Sequence, residues 1–325
     1  MLARRSLLER PGLLFIVRSR SLALQTASDA EHGKVGEDRP PVRLVVNADD
    51  FGRSEEVVAA VSQACDRGIL ASASLMVTGA AATQAVEAAR VRPGLGVGLH
   101  LVLARGRAAS RPQNIPHLVD EEGRFRRNVV LAGLCYAFSP AAKRELAREL
   151  RAQFERFQAT GLPLSHVDSH HHLHLHPMVF RLVLTLAHEF GARAIRVNVA
   201  DDLRLSLRYD RRHLLLKLGW KIVYTLLAAY CRRLLRRRPL PTATRAYGLL
   251  QSGNVTPPYL LACLERVRAA APPLVEIFCH PSLRAESSDL GPNPGDLAAL
   301  LDPRVREAVR TAGIRLVNFR TAGGE

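Results

Sequence analysis

The sequence lacks the cysteine patterns that build disulfide frameworks or zinc ribbons. Its 325 residues contain five cysteines, at positions 65, 135, 231, 263 and 279, and no two of them form a C-x-x-C pair. An odd, widely spaced set argues against a disulfide-stapled secreted fold and against a cysteine-ligated zinc site. We therefore expect a protein of a reducing compartment, and the predicted location is the cytoplasm.

The N-terminal region lacks the features of a membrane anchor or a secretory signal. The apolar run at residues 13–17 is too short to span a bilayer, and it ends at the charged residues Arg18 and Arg20. A secretory signal would need a longer apolar region and a small-residue cleavage site. We interpret residues 1–41 as a disordered extension or as the result of a start codon placed too far upstream, with an Arg-rich organellar presequence as the alternative. Residues 42–325 are predicted to form a single domain.

Acidic residues are scarce in one part of the chain. The formal net charge is +16, and residues 204–238 contain eleven Lys and Arg but a single acid, Asp210. A nucleic-acid-binding protein could show this bias, but no nucleic-acid-binding module and no interleaving of aromatic and basic residues accompanies it. The excess charge is therefore interpreted as local, and no nucleic-acid partner is expected.

Short apolar runs rich in β-branched residues alternate with helical patterns from residue 43 onward. The candidate strands are residues 43–47, 72–78, 96–101, 164–168, 194–199, 245–250, 274–279 and 314–319. The candidate helices include residues 55–67, 140–159, 178–190, 258–270 and 303–311. This alternation predicts an α/β fold with a parallel sheet, and about eight units fit a (β/α) barrel or a distorted barrel.

Ionisable side chains follow four of these candidate strands. They are Asp49 and Asp50 after the first, His100 at the end of the third, the histidine-rich residues 168–176 after the fourth, and Glu276 and His280 on the seventh. In parallel α/β folds the carboxyl ends of the strands meet at one edge, where ligands and catalytic groups gather. The sequence therefore predicts one site built from four strand ends.

The histidine-rich segment is the strongest evidence for this predicted site. Two adjacent acids after a strand are usually a turn with a helix cap, and a single histidine at a strand end is usually structural. Five of the seven residues from His170 to His176 are histidine, however, which neither packing nor solvation requires. Metal binding is the leading interpretation, because neutral imidazole is the commonest metal ligand.

Amide hydrolysis is a reaction that such residues can perform. Without a nucleophilic side chain, it needs a metal ion that lowers the pKa of bound water to about 7 and polarises the carbonyl. A carboxylate must take the proton of the water, and an acid must protonate the leaving amine. Asp49 and Asp50 can take different roles in the reaction, because consecutive residues leaving a strand point in different directions. We expect a divalent cofactor, Mg²⁺ or Zn²⁺, although a set of Asp and His also accepts manganese or nickel.

Four segments of the chain, in their order and spacing, resemble the YdjC-like carbohydrate deacetylases. They are V-N-A-D-D-F-G at 46–52, G-L-H at 98–100, D-S-H-H-H-L-H at 168–174 and C-H-P-S at 279–282. The resemblance extends over about residues 43–319. It implies a distorted (β/α) barrel related to the polysaccharide deacetylases, a divalent cation, and hydrolysis of the linear amide C–N bond of an N-acetylated sugar.

The resemblance also implies roles for individual residues. Asp50, His100 and His170 would be the metal ligands, Asp49 the general base, and His280 the general acid or the group that stabilises the tetrahedral oxyanion. His170 and His174 also form an H-x-x-x-H pair of the kind that related deacetylases use for metal. Further candidates for sugar contact or for alternative metal ligation are His172, His174 and Glu276.

The basic insertion at about residues 204–240 includes a helical pattern at 213–238. Its polar positions recur on one side at helical spacing, and large apolar residues cover much of the remainder; the polar positions are Lys217, Lys221, Thr225, Arg232 and Arg236. One interpretation is a core helix with a charged C-terminus. The other is an interfacial helix near the mouth of the barrel, with an incompletely buried apolar face and with cations near anionic headgroups. Two lysines within the segment make a membrane-spanning helix the less favoured option.

The insertion, together with S-A-S-L-M-V at 72–77, resembles the subgroup associated with hopanoid biosynthesis. The implied substrate is an N-acetylglucosaminyl lipid of the hopanoid type, and the implied partner is an anionic membrane surface, with peripheral attachment to the inner membrane. One alternative is a soluble chito-oligosaccharide or diacetylated-sugar deacetylase. Another is a non-catalytic metal- or sugar-binding barrel, against which Asp49 argues, since a pure binder needs no spare carboxylate beside its ligands.

Overall fold

A computed structural model describes residues 41–198, 202–285 and 290–322, and the predicted N-terminal extension falls outside this part of the chain up to residue 40. The strands are β1 (Arg43–Phe51), β2 (Ser72–Leu75), β3 (Gly96–Leu101), β4 (Val167–Ser169), β5 (Arg245–Tyr247), β6 (Leu274–Cys279) and β7 (Arg315–Leu316). The helices are α1 (Glu55–Arg67), α2 (Ala82–Arg90), α3 (Val129–Phe138), α4 (Pro140–Ala159), α5 (Pro177–Glu189), α6 (Leu203–Tyr209), α7 (Leu214–Leu235), α8 (Pro257–Ala270), α9 (Pro294–Leu301) and α10 (Pro303–Thr311).

The strands form one parallel sheet that curls into a half-barrel with helices packed around it. Their order is β4-β3-β2-β1-β6-β5, and β7 pairs with the first residues of β1. The central strands β1, β3 and β6 are almost continuously buried, as expected when helices cover a parallel sheet. The predicted α/β class and distorted barrel are confirmed.

The fifth candidate strand, at residues 194–199, is wrong. The described part of that segment makes a single parallel bridge, between Val167 and Ile195. On its other side the Ile195 N–H donates to the Pro241 carbonyl over 2.9 Å. Further along the segment, the Asn198 side-chain amide donates to the Ala243 and Thr244 carbonyls, so a side chain takes the place of the next backbone ladder bond. The segment lies between β4 and the chain that leads into β5, as irregular backbone.

Helix starts agree with the local sequence signals. Ser139, the N-cap of α4, accepts a hydrogen bond from the Ala142 N–H, and Pro140 occupies the first helical position. Ser54 caps α1 in the same way by accepting from the Val57 N–H. These caps fix where two helices begin after their connecting loops.

Helix α4 also holds the long loop that follows β3. Its buried Gln153 donates to the Val102 carbonyl and accepts from the Val102 N–H. Its buried Glu149 accepts from the backbone N–H groups of Ala109 and Ser110, each over 2.8 Å. These side chains satisfy backbone groups that a loop without secondary structure would leave unpaired. The loop is thereby fixed beside the carboxyl end of the sheet.

Strand β3 approaches its neighbour so closely that one position requires glycine. A Cβ atom placed on Gly98 would lie 2.4 Å from the His166 ring, which contacts Ser74 Oγ at 2.9 Å. We predict that Gly98→Ala lowers the free energy of unfolding by about 1–3 kcal/mol, because the ring must move within a packed core. Urea denaturation of this variant would measure the loss.

Gly94→Ala is the matched control for this prediction. Among the described residues, nothing lies within 4 Å of a Cβ atom at Gly94, so its unfolding free energy should change by no more than about 0.5 kcal/mol. Equal stability of the two variants would show that the core around His166 accommodates a methyl group.

Candidate active site

The parallel sheet brings the predicted strand-end residues to one edge. His100 on β3 pairs in register with Asp168 on β4, and Ala48 on β1 pairs with Cys279 on β6. Asp49 and Asp50, near the carboxyl end of β1, therefore lie beside the end of β6, where His280 follows. The structure thus brings Asp49, Asp50, His100, His170 and His280 to one cleft at this edge.

Backbone conformation turns Asp50 into this edge. The β1–β2 register shifts between Ala48 and Phe51, and Asp50 has a positive φ of 61°. Residues other than glycine rarely adopt this region, and the cost is of order 1–3 kcal/mol. His171 and His172 also have positive φ, at 56° and 54°. Local strain is therefore concentrated where the candidate metal ligands leave their strands.

Three side chains converge in an arrangement that is compatible with a divalent metal ion. One ligand atom each from Asp50, His100 and His170 lies within 4.8 Å of the others, and all three residues are buried. Asp50 Oδ1 lies 2.9 Å from His170 Nδ1 and 3.3 Å from His100 Nε2. That oxygen has no hydrogen bond of regular geometry, as expected for an atom placed to meet a cation.

A second trio, Asp49, His100 and Asp168, meets the same distance criterion. Its two carboxylates are already engaged, however, because Arg196 contacts both of them at 2.7–2.8 Å. The first trio is therefore the better candidate for the metal site. Outside it, Arg53 Nη1 lies 3.1 Å from the other oxygen of Asp50.

Asp168 orients His100 towards Asp50. Its Oδ1 lies 2.8 Å from His100 Nδ1, which leaves Nε2 facing the candidate metal position. Ser74 Oγ donates to the other carboxylate oxygen over 2.8 Å. Burial alone would lower the pKa of His100, but Asp168 and Asp50 raise it to about 10. The electrostatic potential at His100 therefore favours positive charge, as a cation site requires.

Arg196, to which the sequence pattern assigns no role, organises the site. Its guanidinium is fully buried and donates to both oxygens of Asp49 over 2.7 and 2.8 Å. It also contacts Asp168 at 2.8 Å and Glu276 at 2.7 Å. The one signal in the sequence is an arginine inside the apolar run A-I-R-V-N-V, where a core strand would not place an unpaired charge.

Asp49 and His280 lie close to each other in the site. Asn47 Nδ2 and Arg196 donate to Asp49, and His280 Nε2 lies 4.0 Å from Asp49 Oδ2. The His280 backbone N–H donates to Asp296 Oδ2 over 2.9 Å, a contact that the sequence did not reveal. The two predicted acid–base groups are thus adjacent and separately anchored.

The other candidate residues occupy three different environments. His172 is in the cleft wall, in edge contact with Tyr224 and Phe278. His174 is fully buried, with Nδ1 2.8 Å from Ser169 Oγ and Nε2 2.8 Å from the Arg196 carbonyl. Neither nitrogen of His174 is left for a metal in this arrangement.

Glu276 is the third of these residues and lies beneath the site rather than in its wall. It is fully buried and binds Arg196, and burial raises its pKa to about 7. From that buried position Glu276 could contact a sugar only if strands of the sheet separated. The structure therefore assigns it a place among the supporting groups.

The converging residues form the floor of a cleft of about 540 Å³. The floor is polar and is made by Asp49, Asp50, His100, His170 and His280. The walls are largely apolar and come from α3 and α7, through Val129, Gly133, Trp220, Tyr224 and Leu227. Such a cleft combines a reactive polar base with an apolar entrance.

Helix α7 is oriented differently from an ordinary surface helix. Lys217, predicted to belong to a headgroup-facing stripe, is 4% exposed and lies 3.1 Å from the Asp210 carboxylate. The residues facing outward are apolar, with Leu215 83% and Leu226 67% exposed. By length and composition alone the helix could cross a membrane, and little of its most apolar stretch is buried. The prediction of a helix with an incompletely buried apolar face agrees with this orientation, but the headgroup-facing position of Lys217 is wrong.

We predict that Asp168→Asn weakens metal binding by about 10–100-fold, because His100 loses the partner that fixes its ring. Equilibrium dialysis against a competing chelator, with the metal measured by mass spectrometry, would test this. Asp66→Asn removes the same charge from an exposed Asp66–Arg92 pair and should leave the affinity unchanged. Equal affinities for both variants would mean that Asp168 does not act through His100.

Comparisons with known proteins agree with this architecture. A carbohydrate deacetylase of Clostridium beijerinckii is 37% identical over 284 residues, which are 86% of this chain and 99% of that protein. A chitooligosaccharide deacetylase of Yersinia enterocolitica is 29% identical over 85% of this chain and 97% of its own length. A carbohydrate deacetylase of Brevibacillus brevis is 48% identical over 149 residues, 46% of this chain and 57% of the other.

A solved structure shares the fold. It is a protein of Enterococcus faecalis V583 named for cellobiose-phosphate cleavage, with a TM-score of 0.66, 23% identity, and coverage of 87% of this chain and 99% of the other. Residues 43–311 match the family described as YdjC-like protein. The chain therefore belongs to the YdjC-like family.

Proposed function

We propose that this protein is a metal-dependent carbohydrate deacetylase that removes the N-acetyl group from an N-acetylglucosamine-type sugar. One observation carries the proposal: a trio of candidate metal ligands lies directly beside a carboxylate and an imidazole that are not part of the trio. Asp50, His100 and His170 form the first group, and Asp49 and His280 form the second. The names of the full-length relatives support a sugar deacetylase.

The trio supplies the place for a divalent ion. When bound there, the ion would activate water and polarise the amide carbonyl. Asp168 holds the His100 ring, and the strained backbone at Asp50 holds its carboxylate towards both imidazoles. These contacts fix the ligand geometry before the substrate arrives, so little reorganisation is needed during the reaction.

Asp49 and His280 would move the two protons of the reaction. Asp49 accepts a proton from the attacking water, whose oxygen bonds to the carbonyl carbon. His280 donates a proton to the leaving nitrogen as the C–N bond breaks, giving acetate and the free amine. Arg196 and Asn47 hold Asp49 in place, and the Asp296 contact holds the His280 backbone.

The shape of the cleft supports an amphiphilic substrate. Its polar floor fits an acetylated sugar, whereas Trp220, Leu227 and the wall of α3 offer apolar surface near the entrance. We infer an N-acetylglucosaminyl lipid of the hopanoid type, with its sugar at the floor and its lipid along the apolar walls. The Yersinia relative favours a second candidate, a soluble chito-oligosaccharide, for which these walls would only shape the sugar site.

We also propose that the rim of this cleft contacts an anionic membrane, which places the protein at the cytoplasmic face of the inner membrane. Beside the outward residues of α7, helix α3 exposes Val130, Leu134 and Phe138, the last by 77%. Exposed arginines lie next to both helices, at residues 126–127 before α3 and at 232–233 and 236–238 on and after α7. Apolar insertion flanked by cations is the composition that binds anionic bilayers.

We predict that Asp49→Asn lowers the turnover of an acetylated sugar by about 10²–10⁴-fold, because the general base is lost, while the metal content stays the same. Asp66→Asn is again the charge-matched control. Turnover should be measured by mass spectrometry of the product, and metal content should be measured on the same samples. Loss of metal from Asp49→Asn would mean that the roles of Asp49 and Asp50 are exchanged.

We predict that Leu215→Gln with Leu226→Gln slows turnover of a lipid-linked acetylated sugar by about tenfold or more, because about 1.5–3 kcal/mol of burial is lost for each large apolar side chain. Turnover of water-soluble diacetylchitobiose should not change, since neither residue lines the cleft. Val91→Gln, at an exposed apolar residue elsewhere on the surface, is the control. If lipid and soluble substrates slow equally, α7 is a structural element and the soluble sugar becomes the favoured substrate.

A further inference from the structure

A second groove lies on the other side of α7 from the cleft. Its volume is about 580 Å³, and α6, α7 and the start of β5 border it. Its side chains are mostly basic or able to donate hydrogen bonds, and they include Asn198, Arg204, Lys221, Thr225, Arg232 and Arg245. None of these six belongs to the candidate active site.

Positive charge dominates the described lining of this groove. Arg204, Lys221, Arg232 and Arg245 contribute four cations, whereas the one acid among these described residues is Asp202. The Asp202 carboxylate has other partners: it caps α6 through the Leu205 N–H and lies 3.2 Å from Arg266, which does not line the groove. The charge of Asp202 is thus matched outside the groove, and Arg204, Arg232 and Arg245 give the described lining a net positive charge.

The orientation of α7 explains why these polar side chains face a groove. Lys221, Thr225, Ala228 and Arg232 are spaced by three or four residues and therefore share one side of the helix. Ala228 is buried and small, so it makes a low floor between the longer side chains. Two basic side chains of α7, Lys221 and Arg232, therefore border this groove beside α6 and β5, and Arg232 is also exposed to solvent.

We propose that this groove binds a phosphate group, and that an anionic phospholipid headgroup supplies it. Guanidinium groups bind two phosphate oxygens at once through paired N–H donors, and Arg204, Arg232 and Arg245 bring three of them to this groove. The Thr225 hydroxyl and the Asn198 amide donate to backbone carbonyls of the protein instead. A carboxylate ligand would leave some of these donors unused. The proposal that the groove binds phosphate does not depend on the proposed deacetylase activity. The proposal that a lipid supplies the phosphate rests on the proposed membrane contact of α7.

The apolar side of the same helix favours the lipid source. Leu218 and Ile222 are exposed on α7 within four residues of Lys221. A phospholipid could therefore place its phosphate in the groove and its acyl chains against the outward residues. A free phosphate would use the groove but gain nothing from that surface.

The test uses the full chain and two double variants that remove the same charge. Arg204→Gln with Arg245→Gln changes the groove, and Arg236→Gln with Arg237→Gln changes exposed residues after α7 that do not line it. Titration calorimetry would measure binding of inorganic phosphate and of dihexanoyl phosphatidylglycerol below its micellar concentration. No bilayer is present, so diffuse attraction to a charged surface cannot contribute.

We expect saturable binding of the short phospholipid to the wild type and to the 236/237 variant, and binding at least about tenfold weaker to the 204/245 variant, because charge-assisted hydrogen bonds are lost. The phospholipid should bind more tightly than inorganic phosphate. Turnover of soluble diacetylchitobiose and the melting temperature should be unchanged in both variants. Loss of phosphate binding is then separable from any failure of the deacetylase proposal.

Two results would overturn the proposal: equal weakening in both double variants, or no saturable binding to the wild type. If inorganic phosphate binds as tightly as the phospholipid, the phosphate site is upheld and the lipid source is rejected.

Discussion

The candidate active site depends on one buried guanidinium. Arg196 binds Asp49, Asp168 and Glu276, so it reaches both the proposed proton acceptor and the carboxylate that orients His100. Three carboxylates around one cation leave negative charge unbalanced in a medium of low polarity, and burial raises the pKa of Glu276 to about 7. A divalent ion in the neighbouring trio would supply the missing charge. Arg196 and the candidate metal ligands are thus linked through the carboxylates that they share or adjoin.

The fold and the residues at the strand ends could be predicted because both follow from local patterns. Alternating apolar runs and helices require a parallel sheet, and a parallel sheet places Asp50, His100 and His170 at one edge whatever its curvature. Arg196 could not be predicted in this way. Its function comes from partners far along the chain, and its segment forms a single bridge instead of the expected strand. Ion pairs between residues far apart along the chain leave no periodic pattern in the sequence. Their role in supporting a site therefore cannot be predicted from sequence periodicity.

The histidine-rich segment shows a second limit of pattern analysis. The sequence predicted metal binding from the number of imidazoles but could not separate their roles. The separation comes from positive φ values at His171 and His172, which break the regular alternation of side-chain directions. His170 consequently faces Asp50, His172 enters the cleft wall, and His174 turns back to Ser169. Neighbouring residues of one chemical type thus enter three environments because of backbone torsions that the residue types alone do not specify.

Helix α7 shows that periodicity defines the two sides of a helix without defining which of them faces the protein. A polar stripe usually meets water, but here Lys217 is paired with Asp210, and apolar residues such as Leu215 and Leu226 face outward. Reversing the helix in this way requires polar partners within the fold, which α6 and its following residues provide. The consequence is that one flank of α7 walls the cleft and the other walls the basic groove. Any surface that covers the outward residues of α7 therefore lies beside both the cleft and the basic groove. The ligands of the cleft and of the groove both have to be compatible with that surface.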